Sequence, residues 1–250
     1  MSADTATAHS AADTTATDST TQPWILMYHS VADPTDDPYG ITVARDRLDL
    51  QLRWLRRHGR TGVSVATLLR AHADNNAHGL VGLTFDDGYA DFTEAALPVL
   101  RHHGCTATLF VLPGRLGGSN DWDQDGPRRP LISEDGIRTA RAAGTEIASH
   151  GLSHIDLTSA DDERLRQETS HSRQWLRQLT GTAPKGFCYP YGTVDGRVAR
   201  AVREAGYTYA CAIRPPAHLA GPYALARTHI SQADRSVRLK VKHVRHRLGM

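Results

Sequence analysis

The strongest constraint on the fold is a regular alternation of short apolar runs and amphipathic segments along most of the chain. The apolar runs predict buried strands, and the stretches between them carry apolar residues at helical spacing. This alternation is typical of parallel strands joined by right-handed helical crossovers. About seven strands in 250 residues favour a barrel over an open sheet, so we predict an α/β fold, a distorted (β/α)7 barrel that is complete or incomplete.

The predicted elements follow one another at short intervals. Strands are expected at 24–30, 80–85, 105–112, 145–149, 187–189, 207–213 and 224–230. Helices are expected at 45–58, 65–73, 91–103, 133–144, 161–180, 195–205 and 235–247. The segment 114–130, rich in Gly, Asp, Pro and Arg, is long enough to be a functional loop over a site.

Composition restricts the organisation of the chain. Residues 1–22 are mostly Ala, Thr, Ser and Asp, which predicts a disordered tail. A barrel over 23–232 and a basic C-terminal helix over 233–250, packed on the barrel or trailing from it, complete the expected domains. The tail lacks the apolar stretch of a signal peptide, and no run is long enough to span a membrane. A net charge of +2 does not indicate nucleic-acid binding.

The cysteines indicate a reducing compartment. Cys105, Cys188 and Cys211 are an odd and sparse set without metal-ligand spacing, and each lies in or beside a predicted strand. We therefore expect reduced, buried thiols in a cytoplasmic protein.

One stretch places two carboxylates at the end of a predicted strand. The apolar run 80–85 ends at Asp86 and Asp87, whereas the two other Asp-Asp pairs of the chain follow no apolar run. The carboxyl ends of parallel strands face the loops that carry chemistry. Two adjacent acids there need a compensating charge, and a divalent cation is the simplest candidate. A solvated turn is the alternative.

Two histidines follow another predicted strand. His150 and His154 come directly after the strand at 145–149, so they belong on the same rim as Asp86 and Asp87. Spacing alone is weak evidence, because chance supplies about one such pair among 14 histidines. Two His and one Asp with open positions for water and substrate form a hydrolytic metal site, and two surface histidines in a loop are the alternative.

Several motifs, in this order, resemble the signature of a known family. Thr84-Phe85-Asp86-Asp87-Gly88, Ser149-His150-x-x-x-His154 and Tyr189-Pro190-Tyr191-Gly192 look like those of the NodB-type polysaccharide deacetylases, carbohydrate esterase family 4. The opening Met27-Tyr28-His29-Ser30-Val31 resembles the branch that includes the poly-N-acetylglucosamine deacetylases. The resemblance spans roughly residues 24–227, and the order of the motifs makes it specific.

The resemblance implies a distorted (β/α) barrel and metal-dependent hydrolysis of an N-acetyl group. By this resemblance Asp87, His150 and His154 would hold the cation, most often zinc (Zn2+), and Asp86 would be the general base. This agrees with the chemistry expected from the residues, since a bound cation acidifies its water and a carboxylate can take the proton.

The resemblance also implies roles for residues outside this cluster. The backbone N–H of Tyr191, next to Pro190, would support the oxyanion. His29 is the candidate acid for the leaving amine, and a packed histidine at the end of a strand is the alternative. Independently of the resemblance, the aromatic side chains of Trp122 and Tyr191 could stack on a sugar ring, although a core position is an equal alternative for Trp122.

The chain departs from the family pattern at one important position. Cys188 stands where many members carry an arginine that orients the base, and we find no Asp-x-x-Asp-Trp segment downstream. Arg227 and His229 could supply the missing orientation or a second acid, although such residues more often finish a strand. Cys188 has no predicted base beside it and is expected to be an inert thiol.

The C-terminal stretch is locally basic. Residues 235–247 contain six Lys or Arg, and the apolar residues Val237, Val241, Val244 and Leu248 are spaced as one helical stripe. We expect this helix to close the barrel and to leave its basic face in solvent. Contact with an anionic surface, such as a phosphate-bearing substrate or lipid headgroups, is the alternative.

We therefore predict a metal-dependent hydrolase that removes an N-acetyl or N-formyl group from an amino sugar, as a small molecule or an oligosaccharide. The expected cytoplasmic location argues against a mature cell-wall polymer. One alternative is a hydrolase of a non-sugar amide or cyclic imide, since the family includes such relatives. A second is a catalytically weak carbohydrate-binding relative, suggested by the missing arginine. The sequence predicts neither nucleic-acid binding nor stable membrane insertion, and it leaves the oligomeric state open.

Overall fold

The computed structural model describes residues 22–249. Its strands are β1 (Ile25–Tyr28), β2 (Ser30–Val31), β3 (Thr42–Val43), β4 (Thr61–Val63), β5 (Leu80–Phe85), β6 (Thr108–Val111), β7 (Glu146–Ser149), β8 (Gly186–Cys188), β9 (Tyr209–Ala212), β10 (Leu225–Ala226) and β11 (Thr228–His229). Its helices are α1 (Arg45–Arg57), α2 (Val65–Ala73), α3 (Leu97–His102), α4 (Glu134–Ala142), α5 (Asp162–Arg166), α6 (Ser172–Thr180), α7 (Gly196–Glu204) and α8 (Ser236–Arg247). The tail predicted at 1–22 lies outside the described residues, apart from Gln22.

The larger sheet is parallel and curls into a nearly closed barrel. Its strands follow the order β10-β9-β8-β7-β6-β5-β1-β11, and β4 pairs with the amino-terminal half of β5. β10 and β11 form one segment that is interrupted at Arg227. β10 pairs with β9, and β11 pairs with β1. Eight strands on this path, two of which share a segment, give a ring of seven positions. The predicted distorted (β/α)7 barrel is confirmed.

Strand ladders continue into the residues that follow the strands. The backbone N–H of Asp86 donates to the carbonyl of Tyr28 at 3.0 Å, and that of His150 donates to the carbonyl of Val111 at 2.9 Å. These bonds hold the first residues after β5 and β7 at the carboxyl end of the barrel, where the loops of such folds converge.

Local sequence explains the positions of the helices. α1 buries Leu48, Leu52 and Leu55, at the spacing expected of an amphipathic helix. α2 begins after Ser64, whose hydroxyl accepts from the backbone N–H of Thr67. Side-chain caps of the same kind precede α4, α5 and α7, at Ser133, Asp161 and Asp195. These caps accept hydrogen bonds from backbone N–H groups that would otherwise have no partner. Because the capping residues are visible in the sequence, the helices begin close to their predicted positions.

Two predicted helices contain a π-helical turn. The segment predicted at 91–103 begins with such a turn at Phe92–Ala96, and the helix predicted at 161–180 is divided into α5 and α6 by Gln167–His171. A π-helical turn widens the helix locally and often marks a functional position. The second turn contains Glu168, whose side chain is fully buried.

The barrel has apolar packing on both faces of the sheet. Ile25, Phe110 and Tyr209 come from strands on different sides of the ring and belong to one cluster, which therefore fills the interior. A larger cluster joins the outer face of the sheet to α1, α3 and α4. Cys188 and Cys211 are buried, but Cys105 is only half-buried, so the prediction of a buried thiol is wrong there. Across residues 22–249, no helix combines the length and the apolar character needed to cross a lipid bilayer.

The C-terminal helix packs on the barrel through an unexpected face. Leu239 is buried, and the rings of His243 and His246 lie 4.8 and 5.8 Å from the ring of Trp24. Lys242 donates to the Asp234 carboxylate and to the His229 carbonyl. The apolar stripe predicted to close the barrel faces outward instead: Val237, Val241, Val244 and Leu248 are exposed. The helix packs on the barrel with most of its basic side chains in solvent, as expected, but these polar partners and Leu239, and not the apolar stripe, make the contact.

Candidate functional site

The two adjacent carboxylates contact different neighbours. Asp86 and Asp87 are both buried, and the backbone of Asp87 is left-handed, with φ of 66°. The Asp87 carboxylate lies beside His150 and His154, while the Asp86 carboxylate contacts Arg227. Residues from distant parts of the sequence therefore meet at the carboxyl end of the barrel, as their positions after predicted strands indicated.

Asp87, His150 and His154 converge on one point. The Nε2 atoms of His150 and His154 lie 3.2 and 3.3 Å from the same oxygen, Oδ1 of Asp87. Ligand atoms of the three residues lie within 4.8 Å of one another. Two imidazole nitrogens and one carboxylate oxygen are the donor set of a catalytic zinc-type site, which leaves positions for water and substrate.

The hydrogen bonding of His150 shows that this pocket suits a cation. Its Nδ1 lies 2.8 Å from the carbonyl oxygen of Cys188, and Nδ1 must carry the proton because a carbonyl only accepts. In the neutral ring Nε2 then presents a lone pair to the Asp87 carboxylate. Two acceptors at this distance need a positive charge between them.

The electrostatics of the cluster point the same way. Burial lowers the pKa of His150, but the hydrogen bond with Asp87 and the two carboxylates outweigh it, so the pKa is raised. Burial raises the pKa of Asp87, but hydrogen bonds from His150 and His154 hold it well below its usual value. Both shifts mean that the pocket stabilises positive charge between carboxylate and rings. The residues present therefore fit a bound cation.

Backbone strain is concentrated at the site. Within residues 22–249, four residues other than glycine have a positive φ, namely Asn75, Asp87, His154 and Tyr191. Three of these four belong to the candidate site. The left-handed region costs a residue with a Cβ about 1–2 kcal/mol, so surrounding contacts must hold these side chains in place.

The turn after β8 presents Tyr191 to the site. Tyr191 has φ of 59° and Gly192 has φ of 72°, and a Cβ on Gly192 would lie 2.3 Å from Cγ1 of Ile213. Only glycine fits there. The Tyr191 ring is 52% exposed and lies 4.6 Å from the ring of His154. Pro190 is buried and does not line the cavity, so its direct contribution is to the turn.

Arg227 contacts Asp86, the residue whose expected partner, the family arginine, is missing at position 188. Its Nη1 and Nη2 donate to Oδ1 and Oδ2 of Asp86 at 2.6 and 2.8 Å, and Nη2 lies 3.0 Å from Sγ of Cys188. Burial raises the pKa of Asp86, but the Arg227 guanidinium outweighs burial and lowers it. Burial also raises the pKa of the Cys188 thiol well above its usual value, which keeps the thiol protonated and inert.

Two further histidines lie on the other side of Asp86. His29 Nε2 is 3.9 Å from Oδ2 of Asp86, and the His29 side chain is 14% exposed. The His229 ring is 6.4 Å from that of His29, but His229 does not line the cavity. Burial, with His29 and Lys242 nearby, lowers the pKa of His229. His229 therefore sits behind His29 as a neutral neighbour.

A cavity of about 270 Å³ opens above these residues. Eight of the ten residues singled out in the sequence line it, the exceptions being Pro190 and His229. Trp122, from the predicted long loop, stacks on His154 at 4.3 Å between ring centroids. Tyr39, 43% exposed, lines the same cavity, and its hydroxyl accepts from the backbone N–H of Asp125. Two loops thus join to form an aromatic wall.

Sequence reasoning missed a buried carboxylate that organises the histidine loop. Oε2 of Glu168 accepts from the backbone N–H groups of Leu152 and Ser153 at 2.5 and 3.0 Å, and Oε1 accepts from the Ser153 hydroxyl at 2.5 Å. Leu152 and Ser153 lie between His150 and His154, so Glu168 holds the loop that spaces the two rings. No sequence motif marks Glu168, which lies in the second π-helical turn.

Asp123 is a second residue that the sequence did not single out. It lines the cavity and accepts from Asn120 Nδ2 at 3.2 Å and from the Tyr89 hydroxyl at 3.3 Å. Burial raises the pKa of its carboxyl, and the Asp87 charge adds to this effect. Asp123 follows Trp122 directly, so the expected loop over the site was the available signal.

Among residues 22–249, two other groups of side chains have ligand atoms close enough to hold a metal. Asp86, His150 and Cys188 form one, but Arg227 already neutralises Asp86. Asp49, His102 and His103 form the other, where Asp49 is paired with both His103 and Arg53. In both groups the carboxylate is already paired with an arginine, whereas Asp87 contacts the two histidines of its own group.

Comparison with known proteins identifies the family. A model of the polysaccharide deacetylase family matches residues 73–210, more than half of the chain. The chain belongs to the polysaccharide deacetylase family. This confirms the resemblance drawn from the motifs, and with it the prediction of a deacetylase-type hydrolase. The matched residues include the candidate cation ligands and Tyr191, while His29 and Arg227 lie outside them.

Individual deacetylases resemble the chain over most of its length. YxkH of Bacillus subtilis, named as a polysaccharide deacetylase, is 25% identical over 211 residues, covering 83% of this chain and 71% of that protein. The Escherichia coli poly-β-1,6-N-acetyl-D-glucosamine N-deacetylase is 25% identical over 234 residues, covering 74% of this chain and 34% of that protein. The solved structure of the Streptococcus pyogenes deacetylase PplD matches with a TM-score of 0.75 and 22% identity, covering 89% of this chain and 97% of PplD.

Proposed function

We propose that this protein is a metal-dependent hydrolase that removes the N-acetyl group from an amino sugar within an oligosaccharide or polysaccharide. Family membership supports the reaction class. The observation that carries the proposal is the convergence of Asp87, His150 and His154 beside a second carboxylate, Asp86.

Asp87, His150 and His154 are the proposed ligands of the cation. Their nitrogen-rich donor set favours zinc (Zn2+) among the common divalent ions. Such a cation, when bound, polarises the amide carbonyl and makes a water molecule more acidic. The Nδ1–H of His150 donates to the Cys188 carbonyl. This hydrogen bond fixes the orientation of the ring, so that Nε2 points at the cation position.

Asp86 is the proposed general base. Arg227 holds its carboxylate in a bidentate ion pair and keeps it ionised, so that it can accept a proton from the attacking water. The same pair fixes the direction of the carboxylate. The ion pair leaves Asp86 lining the cavity, so the base faces the substrate side of the barrel.

His29 is the proposed acid. It lines the cavity on the Asp86 side, with its Nε2 positioned to donate a proton to the leaving nitrogen as the C–N bond breaks. The products are acetate and a free amine. The backbone N–H of Tyr191 is proposed to donate to the oxyanion, from a left-handed turn that presents the main chain to the cavity.

The shape of the site supports a sugar within a chain over a small isolated one. Tyr39 and Tyr191 are exposed aromatic residues at the cavity, which suits stacking on sugar rings that extend beyond the reacting one. The E. coli relative is named for a polymer of N-acetylglucosamine, which also supports a polymer. A catalytically weak binding relative was suggested by the missing arginine at position 188. Because Arg227 pairs with Asp86, that argument no longer supports the alternative.

The proposal is tested by assaying released acetate from purified, zinc-loaded protein. Substrates are N-acetylglucosamine, its β-linked oligomers and the matching N-formyl compounds, with a panel of cyclic imides for the alternative chemistry. We expect acetate from the oligomers, faster than from the monosaccharide. Absence of hydrolysis of every acetylated sugar by metal-loaded protein would refute the proposal.

Two variants keep the assay specific. Asp86→Asn should lower kcat by about 10²–10⁴-fold, because the base is lost, while the metal content stays unchanged. Asp162→Asn, at an exposed ion pair of α5 with Arg197, should leave both properties unchanged.

A further inference from the structure

Most exposed large apolar side chains lie on one surface. Within residues 22–249 eight such residues are exposed, and Tyr39 and Tyr191 among them belong to the site. Four of the others lie on α8 or at its end: Val237 (76% exposed), Val241 (47%), Val244 (45%) and Leu248 (66%). A fifth, Leu50 on α1, lines a groove shared with the first turn of α8. We call this the α8 surface.

Cations flank the apolar stripe on both sides. Each helical residue turns by about 100°, so the apolar side chains form one line opposite buried Leu239. The same rotation puts Arg238 and Arg245 along one edge of the line and Lys240 and Arg247 along the other, and all four are exposed. No Asp or Glu occurs from residue 235 to the end of the chain.

Most cations of this surface have no carboxylate partner among the described residues. In the part of the chain that the structure describes, Lys242 is the only cation of α8 within 4.0 Å of a carboxylate. The adjoining groove, of about 280 Å³, is lined by four arginines, Arg47, Arg53, Arg57 and Arg235. Of these, only Arg53 has an ion-pair partner, Asp49, among the described residues.

We propose that the α8 surface binds an anionic lipid bilayer as a peripheral, interfacial helix. A central apolar line with cations on both edges matches the boundary between acyl chains and anionic headgroups. A second copy of this chain fits poorly, because pairing two such surfaces brings cations against cations. A soluble polyanion would use the cations but not the exposed Val and Leu side chains.

The orientation of α8 is compatible with a working site. Lys242, in the middle of α8, donates to the carbonyl of His229 at the carboxyl end of the barrel, and His246 in the last turn lies on Trp24, just before β1. α8 therefore runs along the side of the barrel. A bilayer bound along this side leaves the cavity mouth open to a polymer at the membrane surface.

The test is flotation of the full chain with vesicles of phosphatidylcholine, with or without phosphatidylglycerol. We expect binding to the anionic vesicles that weakens as salt is raised. Arg238→Glu with Arg245→Glu should lower the affinity by at least about 25-fold, from about fivefold for each cation lost. Val241→Asp with Val244→Asp should lower it by about tenfold or more.

Matched controls lie on other helices. Arg200→Glu with Arg203→Glu changes the net charge equally on α7, and Trp175→Ser removes an exposed aromatic residue from α6. Both controls should bind like the unmodified chain, and circular dichroism checks that each variant is folded. The proposal is overturned if the unmodified chain ignores anionic vesicles, or if controls and α8 variants lose binding equally. A dimer in light scattering that Val241→Asp dissociates would assign the surface to a second copy and equally overturn it.

Discussion

Arg227 holds Asp86 through two hydrogen bonds of 2.6 and 2.8 Å, although 141 positions separate the two residues in the sequence. Both side chains are buried, so the pair is far less screened than a surface ion pair. The Arg227 guanidinium lowers the pKa of Asp86, although burial by itself would raise it. Arg227 therefore contacts the carboxylate that the motif arginine expected at position 188 would orient.

Replacing Arg227 should change the pH dependence of activity. Arg227→Met removes the charge, so burial should raise the pKa of Asp86 and move the acid limb of kcat/KM to higher pH by about one unit or more. Arg227→Lys keeps the charge and should move the limb less. Because an unpaired buried carboxylate costs about 3–5 kcal/mol, the Met variant should also unfold at lower denaturant. Identical acid limbs in both variants and the unmodified enzyme would contradict this role.

His29 and His229 form a matched pair for testing the acid. His29→Gln should lower kcat by about 10²–10⁴-fold, because the proton donor to the leaving nitrogen is lost, with unchanged metal content. His229→Gln replaces the neighbouring histidine. Because His229 does not line the cavity, this variant should lower kcat much less. Steady-state kinetics across pH give both answers. Equal losses in the two variants would argue that the histidines act by packing.

The sequence predicts well those parts of the fold that local chemistry determines. α2 has its predicted bounds because Ser64 caps it and apolar spacing defines its length. The rim positions of Asp86 and His150 follow from strands that end directly before them. These features need no knowledge of distant contacts, since caps, apolar runs and strand ends are read within a few residues.

Features that depend on distant contacts could not be predicted. The partner of Asp86 comes from a short strand segment that is interrupted at Arg227 itself, and no local pattern links the two. Glu168 looks like any helical glutamate in the sequence, but its side chain is buried and lies in a π-helical turn. For α8, periodicity defines the apolar line of Val237 and Val241, but the packing of His246 on Trp24 turns that line outward.

The contact between α8 and Trp24 should weaken in acid. Burial lowers the pKa of His246 from 6.5 to about 4. The unfolded chain therefore binds this proton more readily, and stability present above pH 6.5 is lost as pH falls toward 4. His246→Phe keeps a ring on Trp24 without the titration, so its denaturant midpoint should fall less over this range. His78→Phe, at an exposed position, should follow the unmodified protein, and an unchanged slope in His246→Phe would contradict the assignment.

Glu168 should affect metal retention more than folding. Its carboxylate accepts from the backbone of Leu152 and Ser153, in the loop between the two histidines, and a Cβ on Gly151 would lie 3.0 Å from it. Glu168→Gln keeps the shape but turns an NH2 group toward donors, so the loop should loosen and zinc affinity should fall by about 10–100-fold. Competition with a chelator measures this affinity, and excess zinc should restore much of the activity. Glu163→Gln, an exposed glutamate of α5, is the control, and equal affinities in both variants would show that Glu168 does not position the ligands.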